Sequence, residues 1–535
     1  MNPLSQNGAS ESQKAAVAAE LPAAAGALPA PAPVGADPLA HALRERDPLE
    51  RDPLGPQPPL GPQPPPEPDP LARDPLGPGP LDARAKSRLL WLLASSFFMQ
   101  MLDSTIVNTA APSIARALAV EPLSLKTALT SYTLSLAVFI PLSAWLADRY
   151  GTRRVFWGAI AIFTASSIAC GLAQDLPMLV LSRIVQGFGG AMMMPVGRLA
   201  ILRSFPRAEF VGAMAFATIP GLIGPTIGPL LGGLFSTYIS WRMIFLVNLP
   251  FGLIGLWMTR RHMPDYRAPT RVPLDFGGFC LFGVGVGGLS WALEEFSDGS
   301  YRKGGVAIVI ALLALAVYTW RSLRIASPIV DLHLLRLPSF RIAVNGGFTT
   351  RLGVGGMYFL LTLLFQIGFG YSAVTAGLLQ MPQAIAMLST RFFVATIIRH
   401  LGYRRVLLVN TALAGIMILS FVTFDQTTPF WRICAQVFVF GAVMSIQYSA
   451  INTLGFVDIG PAQASMGSAM SSTAQNLSIS FGVAFGSLLM AAFLPGGLVQ
   501  GEHYVGAFHA TVVVLGLVTL LSSLVFLRLP KGAAG

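Results

Sequence analysis

Long apolar runs, each about 18 to 25 residues, recur along this chain from Arg88 onward. A run of that length spans a hydrocarbon core of about 30 Å as a helix. Charged residues make up only 11% of the chain, against about a quarter in soluble domains. The sequence therefore predicts an all-α polytopic membrane protein with fourteen spans, near residues 88–112, 125–147, 154–173, 177–202, 211–236, 242–260, 275–295, 304–323, 341–365, 374–398, 404–424, 430–455, 464–494 and 507–529.

Basic residues lie on alternate loops between these runs. If the N-terminus is inside, the outside segments receive chiefly Arg116, Lys126, Arg302 and Lys303, and most other loop arginines and lysines fall inside. This asymmetry follows the positive-inside rule, so it predicts a multi-pass protein of the bacterial inner membrane with both termini in the cytoplasm. Because topology accounts for the net charge of +11, we expect a lipid bilayer as the partner of the basic loops and no nucleic acid.

The chain divides into four predicted regions. Residues 1–85 are rich in Pro, Ala and Gly and repeat units such as RDPLGP, which predicts a disordered cytoplasmic tail. The loops LADRYGTRRVF and RHLGYRRVLL resemble each other, which indicates two related halves. We therefore predict two pseudo-symmetric six-helix bundles, at 86–262 and 341–530, with a linker at 263–340 that carries two extra central transmembrane helices.

Motifs for enzymatic chemistry are missing from the sequence. It contains no P-loop, no HExxH pair, no calcium-binding loop and no GxSxG elbow, and its three cysteines stand apart within apolar runs. We therefore expect neither an enzyme nor a metal site, and no cofactor. A proton gradient is the expected source of energy for any uphill movement.

Two charged residues lie inside predicted spans. Asp103 stands in MLDSTIVNTAAP and Arg183 in LVLSRIVQGFGG, and their distances from the outer helix ends place them within about 5 Å of each other in depth. A carboxylate within the bilayer is costly, so it indicates a functional role. Two interpretations remain open: a proton carrier whose arginine partner leaves and returns, or a fixed salt bridge between two helices.

Two further motifs concern movement and packing. In LADRYGTRRVF, the cytoplasmic gating loop is predicted to use Asp148, Arg149, Gly151, Arg153 and Arg154, with the aspartate pairing to arginines or a helix dipole. In IPGLIGPTIGPLLGG, small residues four apart favour close helix approach, and prolines favour a bend. The predicted packing residues there are Gly224, Pro225, Gly228, Pro229, Gly232 and Gly233.

Together, LDSTIVNTAAP, LADRYGTRRV, the RxxQGxG stretch and GPTIGPLLGG resemble the motifs of the major facilitator superfamily. With fourteen spans, residues 86 to 530 are similar to its EmrB/QacA-type drug–proton antiporters. The stretches PVGRLAILRSFP and FGYSAVTAGLLQMP further resemble its MdtD-like and HsrA-like members. The resemblance implies the major facilitator fold and assigns proton coupling to Asp103 and Arg183. Two positions depart from the family pattern: Ala144 stands where the loop motif usually has glycine, and RHLGYRRVL lacks the aspartate.

The C-terminal half has no acid between Asp331 and Asp425, yet Arg351 and Arg391 fall inside predicted spans. This favours neutral or anionic amphiphiles as substrates, although Arg391 is near enough to a helix end to extend towards the interface. The residues predicted to line a substrate cavity are polar and intramembrane: Gln100, Asn108, Gln186, Asn345, Arg351, Gln383, Gln447 and Asn452.

The favoured function is proton-coupled efflux of amphipathic drugs or similar small molecules by alternating access. The partners are then a small-molecule substrate and protons, with a periplasmic adaptor or outer-membrane channel as a further candidate. One alternative is proton-linked transport of a metabolite such as an organic acid. Another is a non-transporting membrane sensor or scaffold that signals through the N-terminal tail.

Overall fold

A computed structural model describes residues 81–267, 273–297, 299–325, 328–460, 463–494 and 501–529. The described residues form helices and connecting loops, without a strand. Fourteen helices among them correspond to the predicted spans, and Ala373–Thr423 contains two of these, α10 and α11, divided at Gly402. The others are α1 Ala83–Ala117, α2 Lys126–Tyr150, α3 Thr152–Gly171, α4 Leu176–Ser204, α5 Arg207–Tyr238, α6 Met243–His262, α7 Phe276–Ser297, α8 Tyr301–Ser322, α9 Pro338–Gly368, α12 Phe430–Leu454, α13 Ala464–Phe493 and α14 Glu502–Arg528.

Short polar residues fix where several helices begin. The carboxylate of Asp82 accepts from the backbone N–H of Ala85 at 2.7 Å, ahead of α1. Asp175 caps α4 in the same way, at 2.7 Å from the N–H of Met178. These side chains satisfy N–H groups that have no partner within the helix. The predicted tail lies outside the described residues as far as residue 80, and α1 begins just beyond, at Ala83.

The two similar loops adopt similar backbone conformations. Gly151 between α2 and α3 has φ 94° and ψ 146°, and Gly402 between α10 and α11 has φ 73° and ψ 154°. Residues other than glycine rarely adopt a positive φ. Glycine at these two positions therefore allows each helix pair to turn sharply at the same end of the bundle.

The outer helix faces are strongly apolar. On α8, Val309, Leu313 and Trp320 are each more than half exposed. Such a surface suits a hydrocarbon solvent, in which all backbone hydrogen bonds must be made within the helices. This agrees with the thirteen helical stretches among the described residues that are long and apolar enough to cross a membrane, one of them being the double segment.

Helix α7 of the extra pair packs against both halves of the molecule, because it contacts α2 from the first half and α13 from the second. Phe279 on α7 stacks near Phe139 on α2, with ring centroids 5.5 Å apart. A Cβ on Gly285 of α7 would overlap Leu315 of α8, and a Cβ on Gly288 would lie 3.0 Å from Cβ of Ala311. The glycine-rich run in α7 thus serves close helix packing.

Helix α9 is interrupted at two glycines. A regular helix ends at Val354, and a second segment begins at Met357, after Gly355 and Gly356. A Cβ on Gly355 would lie 3.2 Å from the carbonyl oxygen of Ile479 on α13 and 3.3 Å from Cα of Gly482. This backbone-to-backbone crossing of α9 and α13 fixes the position of Arg351, one turn before the break.

Candidate functional site

Asp103 of α1 and Arg183 of α4 form an ion pair in the interior of the first half. Nη1 of Arg183 lies 2.6 Å from Oδ2 of Asp103. Asp103 is 0% exposed and Arg183 is 1% exposed. Two charges at this depth stabilise the fold only when they are paired and hydrogen-bonded, because desolvating either one is costly.

The other hydrogen bonds to the Asp103 carboxylate come from neutral amides. Gln186 Nε2 donates to Asp103 Oδ1 at 3.0 Å, and Asn248 Nδ2 donates to the same oxygen at 2.9 Å. Both amides also donate to Ser167 Oγ, at 3.2 Å and 3.1 Å. Ser167 in turn donates to the carbonyl of Phe245 at 2.9 Å. Four helices, α1, α3, α4 and α6, thus meet at one carboxylate.

The arginine is held less completely than the aspartate. Nη1 of Arg183 also donates to Gln186 Oε1 at 2.7 Å, and the guanidinium carbon lies 4.0 Å from the ring centroid of Tyr132 on α2. Its Nε and Nη2 are buried without a hydrogen-bond partner in the described part of the chain. Arg183 therefore has unused donors, while three donors surround Asp103. Movement of α4 relative to α1 would release the carboxylate from its cation while Asn248 remained beside it.

Sequence reasoning placed Asp103 and Arg183 together, and the structure brings them into contact. Gln186 was expected in a substrate cavity, and it instead lies within this network, fully buried. Asn248 and Ser167 were missed. An asparagine within the apolar run VNLPFGLIGLW was the available signal for Asn248, whereas a serine in a membrane helix is too common to be informative.

The predicted gating loop is docked on the segment that follows α6. The hydroxyl of Thr152 donates to the carbonyl of Pro264 at 2.8 Å, and its backbone N–H donates to the carbonyl of Tyr266 at 3.0 Å. A Cβ on Gly151 would overlap the carboxylate of Asp265. The gating loop therefore packs against residues 263–267, a segment that the sequence did not indicate as important.

The charged residues of the gating loop have separate contacts. Asp148 pairs with Arg203 at the end of α4, at 3.4 Å. Arg149 lies over the ring of Trp145 at 5.4 Å, Arg153 donates through Nε to the carbonyl of Met263, and Arg154 is exposed. The predicted aspartate–arginine pairing thus occurs with an arginine of the next basic loop.

The glycine-rich helix α5 packs closely against α1. A Cβ on Gly224 would lie 2.7 Å from the backbone nitrogen of Leu102, and side chains at Gly228 and Gly232 would overlap Thr105 and Ile106. The contacted stretch of α1 includes Asp103, so this packing fixes the height of the carboxylate. Pro225 and Pro229 lie within α5, which remains helical from Arg207 to Tyr238.

A different face of α5 meets the second half of the molecule. A Cβ on Gly233 would lie 2.9 Å from the carbonyl carbon of Ala373 and 2.9 Å from Cα of Val374, at the start of α10. On the opposite side of the contact, a Cβ on Gly377 would lie 2.9 Å from the carbonyl carbon of Pro229. Two glycines thus allow α5 and α10 to touch backbone to backbone.

The structure does not gather the other predicted cavity residues into one site. Gln447 is bonded to Asn410 at 2.9 Å and Thr411 at 2.6 Å, both on α11. Gln100 and Gln383 are buried and Asn108 is partly buried, whereas Asn345 is exposed. Arg351 and Asn452 share a small cleft with Ser471, between α9, α12 and α13.

The family follows from comparison with known proteins. Residues 93–483 match the model of the Major Facilitator Superfamily. The chain belongs to this superfamily. Over 82% of its length, the chain is 38% identical to a relative from Serratia proteamaculans and 38% identical to one from Cronobacter sakazakii. The matches cover 93% of the Serratia protein and 94% of the Cronobacter protein. Both are named as multidrug resistance proteins MdtD.

The fold agrees with solved members of the superfamily. The crystal structure of a D-xylose-proton symporter superposes with a TM-score of 0.61, covering 84% of this chain and 98% of that one, at 13% identity. The predicted all-helical facilitator fold is therefore confirmed, and the fourteen helices agree with two six-helix halves and an extra pair. As a major facilitator, the protein is a membrane transporter, and its similarity to the MdtD proteins confirms the predicted relationship.

Proposed function

We propose that this protein exports amphipathic small molecules from the bacterial cytoplasm in exchange for protons, by alternating access. The observation that carries the proposal is the buried Asp103–Arg183 pair in a facilitator whose relatives are named for multidrug resistance. The proton gradient supplies the energy, without a bound cofactor.

In the proposed cycle, Asp103 takes up and releases the proton. While Arg183 lies 2.6 Å away, the carboxylate is neutralised by the guanidinium and stays ionised. When α4 moves relative to α1 and Arg183 withdraws, an unpaired carboxylate in a dry interior is costly, so it binds a proton from the side then open. Return of the arginine expels that proton towards the other side.

Purified protein in liposomes with a pH gradient tests this cycle. We expect addition of an amphipathic substrate to trigger proton flux in the wild type and none in Asp103→Asn. The matched control is Asp175→Asn, which removes one carboxylate at a helix N-cap where asparagine caps equally well. Substrate-triggered flux in Asp103→Asn equal to that of the wild type would favour the alternative of a fixed salt bridge.

The sensor alternative makes a different prediction for the N-terminal tail. A variant lacking residues 2–80 keeps Asp82, the cap of α1, and should retain full transport if the protein is a transporter. Loss of all transport in this variant, with normal amounts of protein in the membrane, would favour a function that depends on the tail.

The proposal includes orientation and location. We place both termini in the cytoplasm of a cell whose inner membrane holds the protein, because the gating loop, the loop at Gly402 and the end of α14 share the basic side. Cysteine accessibility at the exposed positions His400, beside Gly402, and Tyr301, at the start of α8 on the opposite side, tests this orientation. Transfer of the exported compound to a periplasmic adaptor or outer-membrane channel is an extension, which cross-linking in whole cells would test.

A further inference from the structure

Arg351 of α9 is a buried cation without a counter-ion. Its side chain is 4% exposed, and its Nε and Nη2 make no hydrogen bond within the described residues. No carboxylate of the described chain lies within 4.0 Å of it, in contrast to Arg183, which has Asp103 at 2.6 Å. An uncompensated guanidinium at this depth is costly, so an anionic ligand that paired with it would be favoured.

The surroundings of Arg351 can hold an anionic group. The guanidinium carbon lies 5.0 Å from the ring centroid of Tyr448, within the range of a cation–π contact. The cleft beside it also contains the amide of Asn452, which is exposed, and the hydroxyl of Ser471. An arginine fork with two neighbouring neutral donors is a suitable set for a carboxylate or a sulfonate.

Apolar groups line the rest of the same cleft. Ala343, Val344, Ile451 and Ala474 complete its lining, from the three helices that also carry the polar groups. The cleft encloses only about 20 Å³ in this conformation, so a ligand with one anionic head and an apolar body would match both of its parts once the three helices separate. A lipophilic cation would place its charge beside the guanidinium and be repelled.

We propose that Arg351, Tyr448, Asn452 and Ser471 form a subsite for the anionic head group of an amphipathic substrate. This inference rests on the proposed export function and narrows its substrate class to organic anions. The break in α9 at Gly355, against α13, holds the arginine at this cleft in the conformation described.

Binding of three matched naphthalene compounds tests the subsite directly. The full-length protein in lipid nanodiscs is titrated calorimetrically with naphthalene-2-sulfonate, uncharged 2-naphthol and trimethyl-2-naphthylammonium. We expect the sulfonate to bind tightest and the ammonium weakest. In Arg351→Gln, the Kd of the sulfonate should rise about tenfold or more, since hydrogen bonds to charged groups are the stronger ones, while that of naphthol changes less than about threefold.

The control is Arg391→Gln, which removes an equal charge from the same half at an exposed position on α10 and should leave all three affinities unchanged. Asn452→Ala, at an exposed residue, should weaken sulfonate binding about fivefold. Wild-type protein that binds the ammonium as tightly as the sulfonate, or binds no naphthalene compound, would overturn the subsite. So would an Arg391→Gln effect equal to that of Arg351→Gln.

Proton flux with the same three compounds separates this inference from the proposed function. Flux triggered by the ammonium alone would leave proton antiport standing and refute the anionic subsite. Sulfonate binding that depends on Arg351, without flux for any compound, would support the subsite and contradict antiport.

Discussion

Replacing Gly233 by alanine should separate the two halves of the transporter at the α5–α10 contact. The new Cβ would lie 2.9 Å from the carbonyl carbon of Ala373 and 2.9 Å from Cα of Val374. Ordinary contacts of that kind lie near 3.5 to 4.0 Å, so the backbones must move apart by about 1 Å. Overpacking of this kind costs about 1–3 kcal/mol.

That cost applies only while α5 and α10 touch. Because it is absent from a conformation in which they are apart, the equilibrium should shift towards that conformation by about 5-fold to 150-fold. Spin labels at Tyr238, at the end of α5, and Trp431, at the start of α12, are both on exposed side chains. Pulsed electron resonance on these labels, in a background without the native cysteines, should show a larger population at long distance.

The control is Gly212→Ala on the same helix, where a Cβ meets nothing within 4 Å. Both substitutions raise helix propensity equally, so only the steric contact differs between them. An unchanged distance distribution in Gly233→Ala would refute the reasoning. A shift in Gly212→Ala as large as that in Gly233→Ala would also refute the reasoning.

Three further predictions concern the first half. Asn248→Ala removes an amide donor from Asp103, the proposed proton carrier, and should slow the proposed proton-coupled transport about tenfold, measured as substrate-triggered flux in liposomes. Gly151→Ala should lower the Tm by several degrees more than Gly402→Ala. Both glycines have positive φ, but only Gly151 is packed against another segment. Equal decreases in Tm would contradict this prediction. Asp148→Asn breaks a partly exposed pair with Arg203, so stability should change by less than about 1 kcal/mol, while the salt dependence of transport weakens.

The helical architecture could be predicted because the length of each apolar run in the sequence matches the length of a helix that crosses the membrane. Fourteen spans and the two glycine loops agree with the structure. Helix ends were less accurate: α1 was predicted at 88–112 and extends from Ala83 to Ala117, through Pro112. A proline interrupts one hydrogen bond, and the surrounding helices support the continuation.

The partner of a side chain could be predicted only where two charged residues lay at similar depth in the membrane or where the family resemblance indicated the pair. Asp103 and Arg183 were both recognised as intramembrane charges at similar depth. Asn248 lies far from both in sequence, and its contact depends on how α6 is rotated in the bundle, which periodicity does not determine. Gln447 is likewise a polar residue within a membrane helix, as expected for a cavity, yet its amide is hydrogen-bonded to α11.

The extra pair makes access from the bilayer unequal on the two sides of the molecule. On one side, α7 and α8 lie between the lipid and the junction of α2 with α13. On the other, α5 and α10 meet directly, and Ile219 and Leu378 on these helices are about half exposed to lipid. Fewer helices therefore separate a compound dissolved in the bilayer from the junction of the two halves beside the glycine contact than beside α7 and α8.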